Sequence, residues 1–237
     1  MTRRSNDGFG FELARPEAGA QHPGFMIQVW LWMAGAALIS AASAWACSNL
    51  PALSQALFTP RGLTAAGWGV TLAPLLLVMV PSGAVTRLSP ALAAGVFIAY
   101  AVLVGLSLGG VVAAYTGHGL ALTFVAVAAG FAGLALLGAI TRADLSGLGV
   151  FGLMSVMALI VAMIANLLFD SSTLDLAISA IGVLVFAGLT AFDIQRINRL
   201  QVDDWSDDRA PILAALTLYL DLLNIFLFAL RLGGRRR

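Results

Sequence analysis

Seven long apolar runs constrain the fold of this chain more than any other feature of its sequence. They occupy residues 25–46, 67–85, 91–115, 120–140, 148–169, 176–192 and 211–230. Each is close to the roughly 17 to 25 residues that a helix needs to cross the hydrocarbon core of a bilayer. The runs are continuous and do not alternate apolar with polar residues, as the strands of a membrane barrel do. The pattern therefore predicts an all-α integral membrane protein with seven transmembrane helices.

The composition supports a membrane protein and excludes several other classes. Of the 237 residues, 60% are hydrophobic and 11% are charged, whereas an ordinary soluble domain has roughly 25% charged residues. The net charge of +1 provides no basic surface for nucleic acid. All 13 positive residues are arginine, which excludes chemistry that needs a lysine imine. We expect lipid as a partner, no nucleic acid and no cofactor.

Three segments follow from the apolar runs. Residues 1–24 form a polar tail, residues 25–232 form the seven-helix domain, and residues 233–237 form a basic C-terminal tail. The first run is about 22 residues long, which exceeds the apolar core of a typical signal peptide, so it is expected to be a retained span. With the N-terminus inside, eight arginines lie inside and five outside. This bias predicts a cytoplasmic N-terminus.

Small residues and prolines indicate how the helices pack. Gly105 and Gly109 form a GxxxG pattern in the third run, which lets two helices approach closely. We interpret it as packing within one chain in preference to dimerisation, and the oligomeric state stays open. Pro74 and Pro81 lie in the second run, where each is expected to bend the helix.

Asp221 lies near the middle of the last apolar run, where a carboxylate needs an explanation. An acid at a helix centre costs about 2.5 to 3.5 kcal/mol, while the surrounding apolar residues return about 4 to 7 kcal/mol. The run can therefore insert despite its acid. Thr217, Asp221 and Asn224 recur at helical spacing, which predicts a polar stripe that faces the protein interior.

A second acid, Asp193, follows the sixth run, and two interpretations are open. Asp193 lies at the interface and pairs with Arg196, or the helix continues to about residue 200 and contains Asp193 two turns inside its end. With the N-terminus inside, Asp193 and Asp221 lie toward the same side and can meet. Two adjacent carboxyl groups in a low-dielectric site share one proton and titrate as a unit. Such a pair suits a proton sensor or a transient calcium site.

Three segments resemble the motifs of one membrane protein family. They are TRADLSGLG at 141–149, FAGLTAFDIQRI at 186–197 and ALTLYLDLLNIFLFAL at 215–230. The chain resembles the transmembrane Bax inhibitor motif family, also called the Bax inhibitor-1-like or UPF0005 family, over about residues 25–232. An acidic insert at 201–208 departs from the short loop of that family.

The resemblance implies a bacterial inner-membrane protein in which helix seven is central and wrapped by helices one to six. It also implies a pH-sensitive calcium leak, in which Asp193 and Asp221 hydrogen-bond to close the pore and separate when deprotonated. An arginine of the second helix acts on the pair in that family, and Arg87 is the nearest candidate. Calcium and protons would then be the ligands.

Two other functions stay open. Some bacterial members of the family modulate a membrane protease, so this chain could be a regulator that binds another membrane protein and transports nothing. An intramembrane aspartyl protease also places one catalytic Asp on each of two helices. Its later Pro-Ala-Leu motif is missing here, because the strings at 51–53 and 90–92 both precede the acids. We therefore expect no enzyme activity.

Overall fold

The computed structural model describes residues 23–60, 62–78, 89–115, 117–199 and 209–233. Helices dominate this part of the chain, which confirms the predicted all-α class. In chain order they are α1 (Pro23–Asn49), α2 (Pro51–Leu57), α3 (Ala65–Val78), α4 (Pro90–Ala114), α5 (Gly117–Ile140), α6 (Ser146–Phe169), α7 (Ser172–Arg199) and α8 (Ala210–Gly233). Two short strands, β1 (Phe58–Thr59) and β2 (Gly62–Leu63), lie between α2 and α3.

Six helices of the described part are long and apolar enough to cross a membrane, namely α1, α4, α5, α6, α7 and α8. Their outward surfaces are apolar as well. The span in α6 has a mean hydropathy of 2.5, yet only 11% of it is buried inside the protein. So much exposed apolar surface is unfavourable in water and is stable when lipid surrounds it. The predicted integral membrane class is confirmed.

The second predicted span, at 67–85, is described only in part. Its helix α3 has 14 residues, with Pro74 inside it. Residues 79–88, which include Pro81 and Arg87, lie outside the described residues. The number of seven spans therefore stays a prediction.

Helix α8 is the most enclosed of the six long helices. No residue from 210 to 230 is exposed, and α8 packs against α1, α4, α5 and α7. Helix α3 packs chiefly against α4, and α6 packs chiefly against α7. The packing of α8 against these four helices is observed. That α8 is central and wrapped by all the other spans stays a prediction.

Two glycines allow α1 and α4 to pack closely. A Cβ atom at Gly105 would lie 2.4 Å from the carbonyl oxygen of Ser40, and one at Gly109 would lie 2.6 Å from Sγ of Cys47. Both distances are shorter than a carbon side chain tolerates, so only glycine fits. The GxxxG pattern therefore serves packing within the chain, as the sequence predicted.

Helices α7 and α8 run antiparallel, which fixes the depth of both intramembrane acids. At one end of the pair, Arg231 lies 3.7 Å from Asp175, and the Phe228 ring fills the space beside Gly182. Helix α7 continues to Arg199, so Asp193 lies nearly two turns inside its end. Of the two interpretations that the sequence left open, the longer helix is therefore the one observed.

A small hairpin in the connection between α2 and α3 was not predicted. Phe58 pairs with Leu63 and Thr59 pairs with Gly62 in an antiparallel ladder. Gly62 has a φ of 135°, which residues with a side chain rarely adopt. Strands of two residues are too short to show an alternation of apolar and polar residues in the sequence. The hairpin lies in the connection between two predicted spans.

Candidate functional site

Asp221 is a buried carboxylate near the middle of α8, with only 5% of its surface exposed. The side chain of Asp193 on α7 lies close enough to Asp221 for a hydrogen bond between the two carboxyl groups. Oδ2 of Asp221 is buried and has no hydrogen-bond partner within the described part of the chain. The two predicted acids are therefore brought together in the structure.

Thr190 is the third member of this cluster. It precedes Asp193 by one helical turn, and its side chain is completely buried. Its hydroxyl donates to the carbonyl oxygen of Phe186 at 2.7 Å and also lies within hydrogen-bonding reach of Asp221. A hydroxyl has one hydrogen and two lone pairs, so Thr190 can donate to an ionised Asp221 or accept from a protonated one.

Among the residues that the structure describes, few charges lie around the pair. Asp193 is half-buried, and Arg196, one turn further along α7, is exposed and acts electrostatically on Asp193. The described residues contain no group of three or more His, Cys, Asp or Glu side chains that could hold a metal ion.

The other two members of the predicted polar stripe bond within their own helix. Oγ1 of Thr217 donates to the carbonyl oxygen of Leu213 at 3.2 Å, and Nδ2 of Asn224 donates to that of Leu220 at 2.8 Å. Both side chains are half-buried. Such bonds to the preceding turn satisfy a polar group without a partner on another helix. Among the stripe residues, Asp221 is the one that the structure brings to Asp193.

Gln195 anchors the loop between α5 and α6 to the end of α7. Its Nε2 donates to the carbonyl oxygen of Ala143 at 2.8 Å, and its Oε1 accepts from the backbone N–H of Leu145 at 3.1 Å. The side chain is 4% exposed. Because Gln195 is two residues from Asp193, these bonds fix the part of α7 that carries the acid.

The same loop carries Asp144 at the start of α6. Oδ1 of Asp144 accepts hydrogen bonds from Oγ and the backbone N–H of Ser146, at 2.7 and 3.1 Å, and lies 3.6 Å from Arg199. The bonds from Ser146, with a smaller contribution from Arg199, hold the pKa of the Asp144 carboxyl below its usual range. Asp144 is thus a residue of the turn that starts α6.

Two predicted features lie outside the described residues. They are Arg87, the candidate partner of the acids from the second span, and the acidic insert at 201–208. Conversely, the roles of Thr190 and Gln195 were not predicted from the sequence. A polar residue one turn before Asp193, and another two residues after it, were the signals available in the segment LTAFDIQ.

Comparison with known proteins agrees with this architecture. The family described as "Inhibitor of apoptosis-promoting Bax1" matches residues 22–237. Inner membrane protein YbhL of Escherichia coli strain K12 is 39% identical over 230 residues, which cover 95% of this chain and 96% of that protein. An uncharacterized protein of Deinococcus radiodurans is 38% identical over 215 residues, which cover 90% of each chain. An uncharacterized membrane protein of Streptococcus pyogenes is 36% identical over 170 residues, which cover 71% of this chain and 74% of that one. The chain therefore belongs to the Bax inhibitor-1-like family of integral membrane proteins.

Proposed function

We propose that this chain is a pH-sensitive calcium leak, in which a proton shared by Asp193 and Asp221 holds a pathway through the membrane closed. The observation that carries the proposal is the contact between these two carboxyl groups, on neighbouring membrane-spanning helices, with Asp221 buried. A lone intramembrane acid is costly and is by default a functional candidate. Two acids in contact are a stronger candidate, because their interaction depends on pH.

The shared proton explains how the pair stays together. Two ionised carboxylates repel, and in a partly buried site only one of them readily loses its proton. With one proton present, one carboxyl group donates a hydrogen bond to the other. A protonated Asp193 can then supply the partner that Oδ2 of Asp221 lacks. The protonated pair therefore joins α7 to α8.

Loss of that proton drives the two carboxyl groups apart. Two unit charges about 4 Å apart repel by about 4 kcal/mol at the effective dielectric constant of a partly buried site. That energy corresponds to about a thousandfold change in an equilibrium between joined and separated carboxyl groups. Thr190 stabilises ionised Asp221 when its hydroxyl donates to that carboxylate, a contact that exists while α7 and α8 stay packed. The exposed carboxylates would also attract a hard cation, for which carboxylate oxygen is the preferred ligand.

The test is calcium flux through the purified protein in liposomes that contain a calcium dye, from acid to alkaline pH. We expect flux to rise at least tenfold with pH in the unsubstituted protein. In Asp221→Asn the amide can donate to Asp193 at every pH, so flux should stay at its acid level. Asp193→Asn should give the same result, because the amide then donates to Asp221.

Asp175→Asn is the matched control, since it makes the same substitution on α7. Asp175 lies 18 residues from Asp193, about 27 Å along the helix, and pairs with Arg231. It should leave the pH dependence unchanged. Flux that ignores pH and both gate substitutions would refute the proposed gate. Folded protein that gives no flux above empty liposomes at any pH would favour a regulator that transports nothing.

A further inference from the structure

A cavity of about 360 Å³ lies between α1, α4, α5 and α8, apart from the acidic pair. It is located toward the end of the bundle where α4 is followed by α5. Its walls are almost entirely apolar and include Ala41, Trp45, Leu108, Phe124, Leu223 and Phe226. An apolar cavity of this kind excludes water, because water needs two to four polar partners.

The two hydroxyl groups in the cavity wall are already satisfied. Oγ of Ser40 donates its hydrogen to the carbonyl oxygen of Ala101 at 2.7 Å, so Tyr219 is the donor in the hydrogen bond between Tyr219 and Ser40. Both side chains are buried. Neither hydroxyl retains a hydrogen for a ligand, so the cavity suits a purely apolar occupant.

The cavity is continuous with the lipid-facing surface. Ala41 and Trp45 on α1, and Ala121 and Phe124 on α5, line it and are exposed. Helix α1 packs chiefly against α4 and α8, whereas α5 packs chiefly against α7 and α8. The opening therefore lies between α1 and α5, where hydrocarbon of the bilayer is the adjacent medium.

The dimensions favour a single hydrocarbon chain. From residue 37 to residue 45 the α1 wall spans about 12 Å, slightly less than half of the roughly 30 Å hydrocarbon core. An apolar cavity of about 150 Å³ already holds benzene. A hydrocarbon chain from one leaflet therefore fits this cavity.

We propose that this cavity binds one acyl chain of a bilayer phospholipid. The chain enters between α1 and α5 and lies against α8. Few protein contacts join α1 to α5, and the acyl chain fills the space between these helices. It therefore packs against α8 on the side away from α7. This site does not depend on the proposed ion leak.

A phosphatidylcholine that carries a photoreactive diazirine at the end of one acyl chain tests this site. The full-length protein is reconstituted with increasing mole fractions of the probe, irradiated and mapped by peptide mass spectrometry. Label on Leu108 and Leu223 inside the cavity should saturate. Label on Val161, which is 64% exposed on α6, should rise in proportion to the probe.

Ala121→Phe places a ring in the opening and should reduce the label on Leu108 and Leu223 at least tenfold, with Val161 unaffected. Ala126→Phe is the matched control, because Ala126 is exposed on the same helix and does not line the cavity. Equal cavity labelling in both variants would overturn the proposal. If Ala121→Phe does not fold, the unsubstituted protein decides, since labelling of Leu108 and Leu223 that never saturates would also overturn it.

Discussion

Replacement of Thr190 by valine isolates one hydrogen bond at the acidic pair. Valine has nearly the same shape, so the completely buried side chain of Thr190 is replaced without a large cavity. The lost bond to Phe186 matters little, because that carbonyl oxygen also accepts the regular helical bond. The lost contact with Asp221 matters more, since it removes a donor that favours the ionised carboxylate.

The expected size of the effect follows from that one contact. A hydrogen bond to a charged group contributes about 1.5 to 3 kcal/mol, and about 1.4 kcal/mol corresponds to one pH unit. In Thr190→Val, deprotonation of the pair becomes harder by this amount. The pH at which calcium flux reaches half its maximum should therefore rise by about one to two units.

The assay is calcium flux in liposomes across pH, with two controls. Thr190→Ser keeps the hydroxyl and should keep the original pH dependence. Thr123→Val removes another buried hydroxyl, which bonds to Gly119 in its own helix α5, and should also leave it unchanged. A folded Thr190→Val protein whose half-maximal pH is unchanged or lower would refute the role assigned to Thr190.

Three further predictions concern the framework around the site. Gln195→Ala should speed hydrogen exchange in the loop at 141–146 and lower stability by about 1 to 3 kcal/mol, measured by exchange mass spectrometry and denaturant titration. Gly109→Val should lower the thermal midpoint in detergent, because its side chain would overlap Cys47; an unchanged midpoint would contradict the packing of α1 on α4. The Asp144 turn should contribute stability above the unfolded-state pKa of about 3.9 and lose it as pH falls through the lowered folded-state pKa. A fall in acid of the protection factor of the Ser146 amide, taken against its intrinsic exchange rate at the same pH and absent in Asp144→Asn, would verify this.

The membrane-spanning helices were the most predictable part of the fold. Length and continuous hydropathy suffice to locate them, because a span must bury about 20 residues in lipid wherever its neighbours lie. The end of α7 was harder to predict. Its last turns carry Asp193, Arg196 and Arg199, so hydropathy falls while the helix continues.

The candidate site was predictable in its acids and not in their surroundings. A carboxylate in an apolar run is conspicuous in the sequence, because placing a charged side chain inside the membrane costs much free energy. The polar groups around it are less conspicuous, since Thr190 and Gln195 are ordinary residues whose partners lie on other segments. Their roles depend on tertiary contacts that spacing along one helix does not encode.

The apolar cavity also needed the three-dimensional structure. Its walls come from α1, α4, α5 and α8. In the sequence, each of these segments looks like any other transmembrane span. The hydrogen bond between Ser40 and Tyr219 joins residues 179 positions apart. No local pattern indicates such a contact.

The most direct test of the gate is infrared spectroscopy of the same proteoliposomes that report calcium flux. A protonated carboxyl group absorbs at a different infrared frequency from an ionised one. The intensity of its band therefore reports the proton shared by Asp193 and Asp221. We expect this band to disappear over the same pH range in which flux rises, and to be absent in the Asp193→Asn, Asp221→Asn double variant. A band that persists while flux rises, or that disappears without any change in flux, would contradict a gate closed by this proton.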